Sequence, residues 1–240
     1  MKCIPLNSPN FSTKNRKLGD IKFIIFHYTG MQSVRVSINR LIDPKHRVSC
    51  HYLICQEGRV YHMVNDIKIA WHAGRSKWKN FVNLNNRSIG IELQNKGHNL
   101  GYQNYPVKQI NSLISLVKQL KKKYNIKNRN ILAHSDIAPL RKSDPGEKFP
   151  WKNFIDRKLI NSSNYRVNKA FLKKKDLKDL REFFFKNLYK IGYRYFNKKK
   201  KSVTDKYIIK SFQMKFRQNK IDGKIDLECL KISEILAKKS

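Results

Sequence analysis

Apolar residues in the first 150 positions fall into short runs separated by polar, glycine-containing or proline-containing segments. Runs of this length predict buried strands, because a strand covered on both faces has an apolar side chain at almost every position. Two of the runs are separated only by QEGR, which predicts a hairpin. The predicted strands are IKFIIFHY at 21–28, the hairpin CHYLICQEGRVYHMV at 50–64, SIGIELQ at 88–94 and ILAH at 131–134.

Two helices are predicted between these strands. SVRVSINRLI at 33–42 has helical spacing, and from Pro106 to Tyr124 apolar residues recur every three or four positions with lysines on the opposite side. Strands that alternate with helices indicate a domain in which helices cover a central sheet. We therefore predict an α/β (α+β) fold with a central mixed sheet over residues 21–160, preceded by an N-terminal tail at 1–20.

The pattern changes in the last third of the chain, which begins with a polar and basic stretch. We expect a linker at 161–175 and a small domain at 176–240. Three short amphipathic helices can bury one shared core, so we predict a three-helix unit. Its amphipathic stretches lie near 176–191, 203–217 and 226–237.

Composition limits the classes of function. Of the 240 residues, 40% are hydrophobic, which indicates a globular protein rather than a disordered one. The 52 Lys and Arg residues outnumber the 17 Asp and Glu residues, and the net charge of +35 favours binding to polyanions. However, the lysines are spread along the whole chain, as a biased composition alone would produce. Because zinc-finger spacing and RNA-recognition signatures are absent, we expect no specific nucleic-acid partner.

Two histidines lie at the ends of predicted strands, where functional sites are commonly built. His27 comes near the end of the first apolar run, and His134 ends the last one. The loop AHSDIAPLRKSDPG at 133–146 is stiffened by two prolines and carries Asp144. Two histidines and one carboxylate form a donor set that catalytic zinc sites use, with a fourth position open for water.

Each of these residues also has a structural interpretation. The alternative for His27 is a core histidine bound to a backbone carbonyl, and an Asp before Pro-Gly, such as Asp144, is a common turn residue. Lys142 resembles the many surface lysines. Glu92 is harder to explain in this way, because an unpartnered buried carboxylate is costly. Burial would raise its pKa, which suits a general base.

Several short segments match the motifs of a known family. They are FHYTG at 26–30, CHYLI at 50–54, AWHAG at 70–74, IGIELQN at 89–95, AHSDIAPLRKSDPG at 133–146 and FPW at 149–151. Together they resemble the zinc-dependent N-acetylmuramoyl-L-alanine amidases of the amidase_2 family, and within it the AmiD-like members. The C-terminal unit resembles the helical peptidoglycan-binding module of these amidases, through SFQMKFR at 211–217 and the Asp222-Gly223 turn.

The resemblance implies a hydrolase that cleaves the amide between N-acetylmuramic acid and L-alanine, in peptidoglycan or in soluble muropeptides. One zinc ion per catalytic domain would be held by His27, His134 and Asp144 and would activate a water molecule. Glu92 would accept the proton of that water. Lys142 would stabilise the developing oxyanion.

Three further residues in the matching motifs are expected to line the substrate groove, although packing explains each of them equally well: His51, Trp71 and His72. The alternative function is a protein of the same fold that binds peptidoglycan without cleaving it. Such proteins usually lack a zinc ligand, whereas all three ligand positions are filled here, so we favour the enzyme. We expect a monomer whose partner is peptidoglycan or a muropeptide.

The resemblance also implies a location in the bacterial cell envelope, either the periplasm or the outer membrane. Many AmiD-like proteins carry a lipoprotein signal that ends in a cysteine. Cys3 has no apolar segment before it in the sequence as given, so we expect no such processing, and a cytoplasmic location stays open. No later run is long and apolar enough to predict a membrane span.

Overall fold

The computed structural model describes residues 2–162 and 177–240. Strands and helices alternate through the first of these ranges, and the second is helical. The strands are β1 (Ile4–Pro5), β2 (Phe11–Ser12), β3 (Phe23–Tyr28), β4 (Tyr52–Ile54), β5 (Val60–His62), β6 (Ile69–Ala70), β7 (Lys77–Trp78), β8 (Phe81–Val82), β9 (Ser88–Leu93) and β10 (Ile131–Ala133). The helices are α1 (Val34–Ile42), α2 (Val107–Tyr124), α3 (His134–Ile137), α4 (Trp151–Asp156), α5 (Leu177–Ile191), α6 (Asp205–Phe216) and α7 (Leu227–Lys238).

Six strands form the central sheet, in the order β1-β5-β4-β9-β3-β10. Strands β4, β9, β3 and β10 are parallel, with β10 at the edge of the sheet, and β4 pairs with β5 as the predicted antiparallel hairpin. The prediction of a central mixed sheet flanked by helices is therefore confirmed. The carboxyl ends of β3, β9 and β10 emerge at one edge, and this edge carries the chemistry described below.

The two faces of the sheet are covered by different parts of the chain. On β3, Ile24 and Phe26 belong to the apolar cluster that contains the buried side of α2. Phe23 and Ile25 point to the opposite face, because successive side chains of a strand alternate, and they belong to the cluster formed with α5, α6 and α7. Both faces of β3 are thus buried, as its uninterrupted apolar run predicts.

The C-terminal helices form the predicted three-helix unit, which is attached to the sheet domain through a buried polar cluster. Lys215 of α6 lies 2.7 Å from Asp136 of α3, and its Nζ also donates to the backbone carbonyl of Ile131. The other oxygen of Asp136 accepts from the hydroxyls of Tyr193 and Ser211. The predicted linker at 161–175 lies outside the described residues except for its first two, so the domain division stays a prediction.

The first twenty residues do not form a separate tail. β1 extends the sheet by pairing in parallel with β5. The Arg16 side chain is buried and donates to the backbone carbonyls of Asp66, Asn85 and Ser88. The sequence did not predict this, because strands of two residues have no periodicity to detect. In the described part of the chain, no helix has the length and apolarity needed to cross a membrane.

Candidate active site

Three side chains converge at the carboxyl edge of the sheet. His27 lies near the end of β3, His134 begins α3 directly after β10, and Asp144 lies on the loop that follows. His27 Nδ1 is 2.9 Å from His134 Nδ1, and these two nitrogens are 3.1 Å and 3.0 Å from Asp144 Oδ2. All three residues are buried.

This triangle of atoms fits a zinc ion. With Zn–N and Zn–O bonds of about 2.0–2.1 Å, neighbouring ligands of a tetrahedral site lie about 3.3 Å apart, close to the observed separations. The set of two imidazoles and one carboxylate is also one that zinc uses in hydrolases, where a fourth position stays open. The geometry therefore allows these three residues to hold a metal ion.

The loop that carries Asp144 is held at several points. The backbone N–H of Ser135 donates to the carbonyl of Asp144 at 3.0 Å. The carbonyl of Pro145 accepts from the hydroxyls of Tyr102 and Tyr105, each at 2.6 Å. The backbone carbonyls of Asp144 and of the residue after it are thus both held, which matters because metal sites tolerate only small displacements of their ligands.

The environment sets the protonation states that a metal requires. Burial, together with the neighbouring His134, lowers the pKa of His27 to about 4, although Asp144 opposes the shift. Burial opposes ionisation of Asp144, but the charges and hydrogen bonds of His134 and His27 outweigh it and hold the pKa of Asp144 well below its usual range. A neutral imidazole and an ionised carboxylate are the forms that bind a metal.

Glu92 lies directly opposite His27 on the neighbouring parallel strand. Its Oε2 is buried and has no hydrogen-bond partner among the described residues. Burial raises the pKa of Glu92 to about 8; the negative charge of Asp144 contributes to this rise, and Lys142 opposes it. A carboxyl group whose pKa lies near neutrality, beside a candidate metal site, has the properties of a general base.

Lys142 is exposed and lines the same groove as the three clustered residues. Its backbone N–H donates to the carbonyl of Ala138 at 3.1 Å, which anchors this part of the loop. Its positive charge lowers the pKa values of both Glu92 and His27. The exposed ammonium group of Lys142 therefore contributes a positive charge to the site.

The groove has a volume of about 920 Å³ and opens above the cluster. Its lining includes residues of the loop after β3, of α1 and of the loop that carries Lys142. Trp71 lines the groove, as expected, and the guanidinium of Arg47 lies 6.0 Å from its ring centroid. The groove contains both signs of charge, and its cationic side chains include Arg40, Arg141 and Lys142.

His51 does not line the groove, contrary to the expectation from the sequence. Its side chain is 0% exposed, and its Nδ1 accepts from the backbone N–H of Gly90. Its Nε2 lies near Lys68 O and the Arg16 guanidinium. The histidine is therefore buried beside β9 and holds the backbone of that strand at Gly90. A substrate cannot contact it while the strand is in place.

His72 reaches the groove, but its ring is occupied by protein partners. One ring nitrogen lies 3.0 Å from His27 Nε2, and the other lies 3.1 Å from Ser88 Oγ. Burial holds the pKa of His72 well below its usual value, and the adjacent His27 and His51 add to this effect. Its contacts connect it to a candidate metal ligand rather than to a substrate.

Several residues of the site were not identified from the sequence. Arg141 donates to the carbonyl of Ala73, which also accepts from His134 Nε2. Asp136 Oδ2 accepts from the backbone N–H of Ala133 and so caps the short helix that begins at His134. Asp136 could have been found from the sequence, because it is the only acidic residue in the mainly apolar segment ILAHSDIA at 131–138. Arg141 had no such signal in a chain so rich in basic residues.

Comparisons with known proteins point to one family. Residues 17–147 match the Amidase_2 family model, which is described as N-acetylmuramoyl-L-alanine amidase. The chain is 33% identical over 242 residues to N-acetylmuramoyl-L-alanine amidase AmiD of Escherichia coli, with 91% of this chain and 83% of AmiD covered. It is 32% identical over 171 residues to 1,6-anhydro-N-acetylmuramyl-L-alanine amidase AmpD of Haemophilus influenzae, with 64% of this chain and 90% of AmpD covered.

Solved structures show the same similarity over nearly the whole chain. The complex of E. coli AmiD with the substrate anhydro-N-acetylmuramic acid-L-Ala-D-γ-Glu-L-Lys superposes with a TM-score of 0.81 at 32% identity, covering 92% of this chain and 90% of that one. AmpDh3 of Pseudomonas aeruginosa in complex with anhydromuramic pentapeptide gives 0.80 at 28% identity, covering 95% of this chain and 94% of that one.

Proposed function

The chain belongs to the Amidase_2 family of N-acetylmuramoyl-L-alanine amidases, and we propose that His27, His134 and Asp144 hold a catalytic zinc ion. The observation that carries the proposal is the triangle of ligand atoms, with separations of 2.9 Å, 3.0 Å and 3.1 Å. When bound, zinc supplies Lewis acidity that lowers the pKa of a coordinated water molecule and polarises a carbonyl group.

The remaining residues provide proton transfer and charge stabilisation. Glu92 takes the proton of the attacking water, because its buried Oε2 is free to accept and its pKa is raised toward neutrality. The proton then passes from Glu92 to the departing amine of L-alanine. Lys142 stabilises the negative charge that develops on the scissile carbonyl oxygen, a role for which its exposed ammonium on the groove wall is suited.

The substrate we propose is a muropeptide or peptidoglycan strand that lies in the 920 Å³ groove, with the reaction serving peptidoglycan turnover. The two relatives solved with ligands hold an anhydro-N-acetylmuramic acid tripeptide and an anhydromuramic pentapeptide. We extend to this chain the ability to bind such fragments. The carboxylates of a peptide stem are complementary to the cations at the groove, which include Arg40, Arg141 and Lys142.

Because the named relatives are bacterial cell-wall amidases, we also propose that the protein acts in the cell envelope. The measurement is fractionation of the native host with detection of the protein in each fraction. Recovery in the cytoplasmic fraction alone would reject an envelope location. This result would not contradict the proposed activity on soluble muropeptides.

The central experiment is digestion of purified sacculi and of an anhydromuropeptide by the full-length protein, with and without a chelator, followed by mass analysis of the products. We expect release of whole stem peptides that begin with L-alanine, loss of the activity on chelation and its return when zinc is restored. Cleavage inside the peptide or the glycan, or activity that resists chelation, would contradict the proposal.

A matched pair of variants tests whether Asp144 is a ligand of the metal ion. Asp144→Ala removes one proposed ligand, whereas Asp156→Ala removes an exposed acid that pairs with Lys152 on α4. Zinc content after dialysis should fall strongly in the first variant and stay near one ion per chain in the second. Equal zinc content in both variants would show that Asp144 is not a ligand.

A further inference from the structure

A chain of hydrogen bonds extends from the backbone of residue 84 to the candidate ligand His27. The hydroxyl of Ser88 lies 2.6 Å from the carbonyl oxygen of Leu84. A carbonyl oxygen can only accept, so the single hydroxyl proton of Ser88 is directed to Leu84. The Ser88 oxygen is then an acceptor for its other neighbour, His72 Nε2 at 3.1 Å.

This arrangement determines which nitrogen of His72 carries the proton. His72 donates through Nε2–H to Ser88, so a neutral ring presents its other nitrogen, Nδ1, as an acceptor. His72 Nδ1 lies 3.0 Å from His27 Nε2. His27 therefore donates from Nε2, and its Nδ1 is left with a free lone pair.

The free nitrogen of His27 is the one that faces the site. Nδ1 is the atom that lies 2.9 Å from His134 Nδ1 and 3.1 Å from Asp144 Oδ2. His134 also carries its proton on Nε2, because this nitrogen lies 3.1 Å from the carbonyl oxygen of Ala73, which can only accept. The two histidines reach the same tautomer through different acceptors: a backbone carbonyl for His134, and another histidine for His27.

Three residues on one face of β9 adjoin His72 and His27. Ser88, Gly90 and Glu92 alternate along the strand and so point to the same side of the sheet. Ser88 orients His72, and Glu92 lies beside His27. Between them, a Cβ on Gly90 would come within 2.3 Å of His72 Cγ. The missing side chain at Gly90 provides the space in which the His72 ring lies.

We propose that His72 and Ser88 are positioning residues that hold His27 in the tautomer whose Nδ1 binds the metal ion. The proposal rests on the metal site of the proposed function, and it assigns to His72 a role toward a ligand rather than toward the substrate. Groups that orient a metal-bound imidazole in this way typically contribute about 10- to 100-fold in metal affinity.

The first test examines His27 directly, in the full-length, metal-free protein labelled with ¹⁵N-histidine. Two-bond ¹H–¹⁵N correlation spectra distinguish the two neutral tautomers of a histidine. We expect the Nε2–H form at His27, and a mixture of both forms once His72 is replaced by Leu. Finding the Nδ1–H form at His27 in the unmodified protein would overturn the proposal.

The second test compares two replacements of His72 in zinc affinity, measured by competition with a chelator. His72→Leu removes the acceptor, while His72→Asn retains a carbonyl oxygen near the position of Nδ1. We expect the Leu variant to bind zinc about 10- to 100-fold more weakly and the Asn variant to retain most of the affinity. Equal losses in both, or a smaller loss in the Leu variant, would mean that the acceptor atom of residue 72 does not matter, which rejects the proposal.

Ser88→Ala interrupts the same series of hydrogen bonds without changing a histidine. It therefore covers the case in which a His72 variant fails to fold. It removes the acceptor of His72 Nε2–H, and we expect a weaker zinc affinity and a mixture of His27 tautomers. Unchanged values for both readouts would overturn the proposal. If the unmodified protein binds no zinc, the proposed function fails, while the tautomer spectra still decide the assignment of His72 and Ser88.

Discussion

His27 and Glu92 lie opposite each other in the register of β3 and β9. A proposed metal ligand and a proposed general base are thus held side by side by the backbone hydrogen bonds of two central, parallel strands. Such strands are among the least mobile elements of a fold. The relative position of these two side chains therefore depends on the sheet rather than on a loop.

Replacement of Glu92 by Gln should remove the proton acceptor while preserving the shape of the site. We expect kcat for stem-peptide release to fall by about 10²- to 10⁴-fold, because this is the usual contribution of a positioned general base. Zinc content should not change, since Glu92 is not one of the three clustered residues. Retention of full activity by this variant would contradict the proposed role.

The same substitution should stabilise the metal-free protein in a manner that depends on pH. The pKa of Glu92 is raised to about 8 in the folded state from an ordinary value of 4.5, so folding becomes less favourable as the pH rises between these values. Gln does not ionise, so the variant does not lose stability in this way as the pH rises. Denaturant titrations should therefore show Glu92→Gln to be more stable than the unmodified protein at pH 8, with the difference vanishing near pH 4.5.

Lys142→Met should lower kcat by about 10²- to 10³-fold, the usual effect of losing one group that stabilises an oxyanion. Because Lys142 is exposed, we expect little change in the free energy of unfolding. Lys152→Met, on the surface of α4 and 81% exposed at its side chain, serves as the control and should leave kcat unchanged. An equal decrease in both variants would assign the effect to the general loss of positive charge.

Gly90→Ala should weaken zinc binding although Gly90 contacts no proposed ligand directly. The added Cβ would lie 2.3 Å from His72 Cγ, so the ring must move, and overpacking of this kind typically costs about 1–3 kcal/mol of stability. Gly19→Ala is the matched control, since a Cβ there meets nothing within 4 Å. The hypothesis fails if the two variants have the same zinc affinity and the same stability.

Lys215→Met should destabilise the protein by about 3–5 kcal/mol, because it leaves the carboxylate of Asp136 buried without its cationic partner. Lys210→Met, an exposed position on the same helix, should change the free energy of unfolding little. Zinc affinity should also fall in Lys215→Met, since Asp136 caps the helix that begins at His134. Matching unfolding curves for the two variants would show that the buried pair contributes little.

The elements that bury continuous or periodic apolar runs could be predicted from the sequence. The helix predicted from Pro106 to Tyr124 is observed as α2, Val107–Tyr124, and the run at 21–28 forms β3. These patterns are strong because one face, or both faces, of each element must be apolar. The residues of the candidate metal site could be named because His27 and His134 lie at strand ends and because family motifs include both of them and Asp144.

The roles of the remaining residues depend on contacts between distant segments, which no local pattern encodes. His72 and Ser88 are 16 residues apart in the sequence. They meet only because the loop that carries His72 packs against β9 at Gly90, which has no side chain. His51 occurs in a motif that is as conspicuous as that of His72, yet its side chain is buried beside β9 and away from the groove. Only the three-dimensional arrangement distinguishes the two. The prediction of an N-terminal tail is wrong, because a buried arginine such as Arg16 has no signature among so many exposed ones.

The attachment of the C-terminal unit has a consequence for proteolysis. A protease that cuts the peptide bond at any point within 163–176 would break the covalent chain, but the two parts would remain joined through the pair of Asp136 and Lys215 and the apolar contacts around Phe23 and Ile25. Dissociation of the fragments would expose that apolar face to water, which is unfavourable. We therefore expect the nicked enzyme to migrate as one particle under native conditions and to keep its catalytic groove assembled.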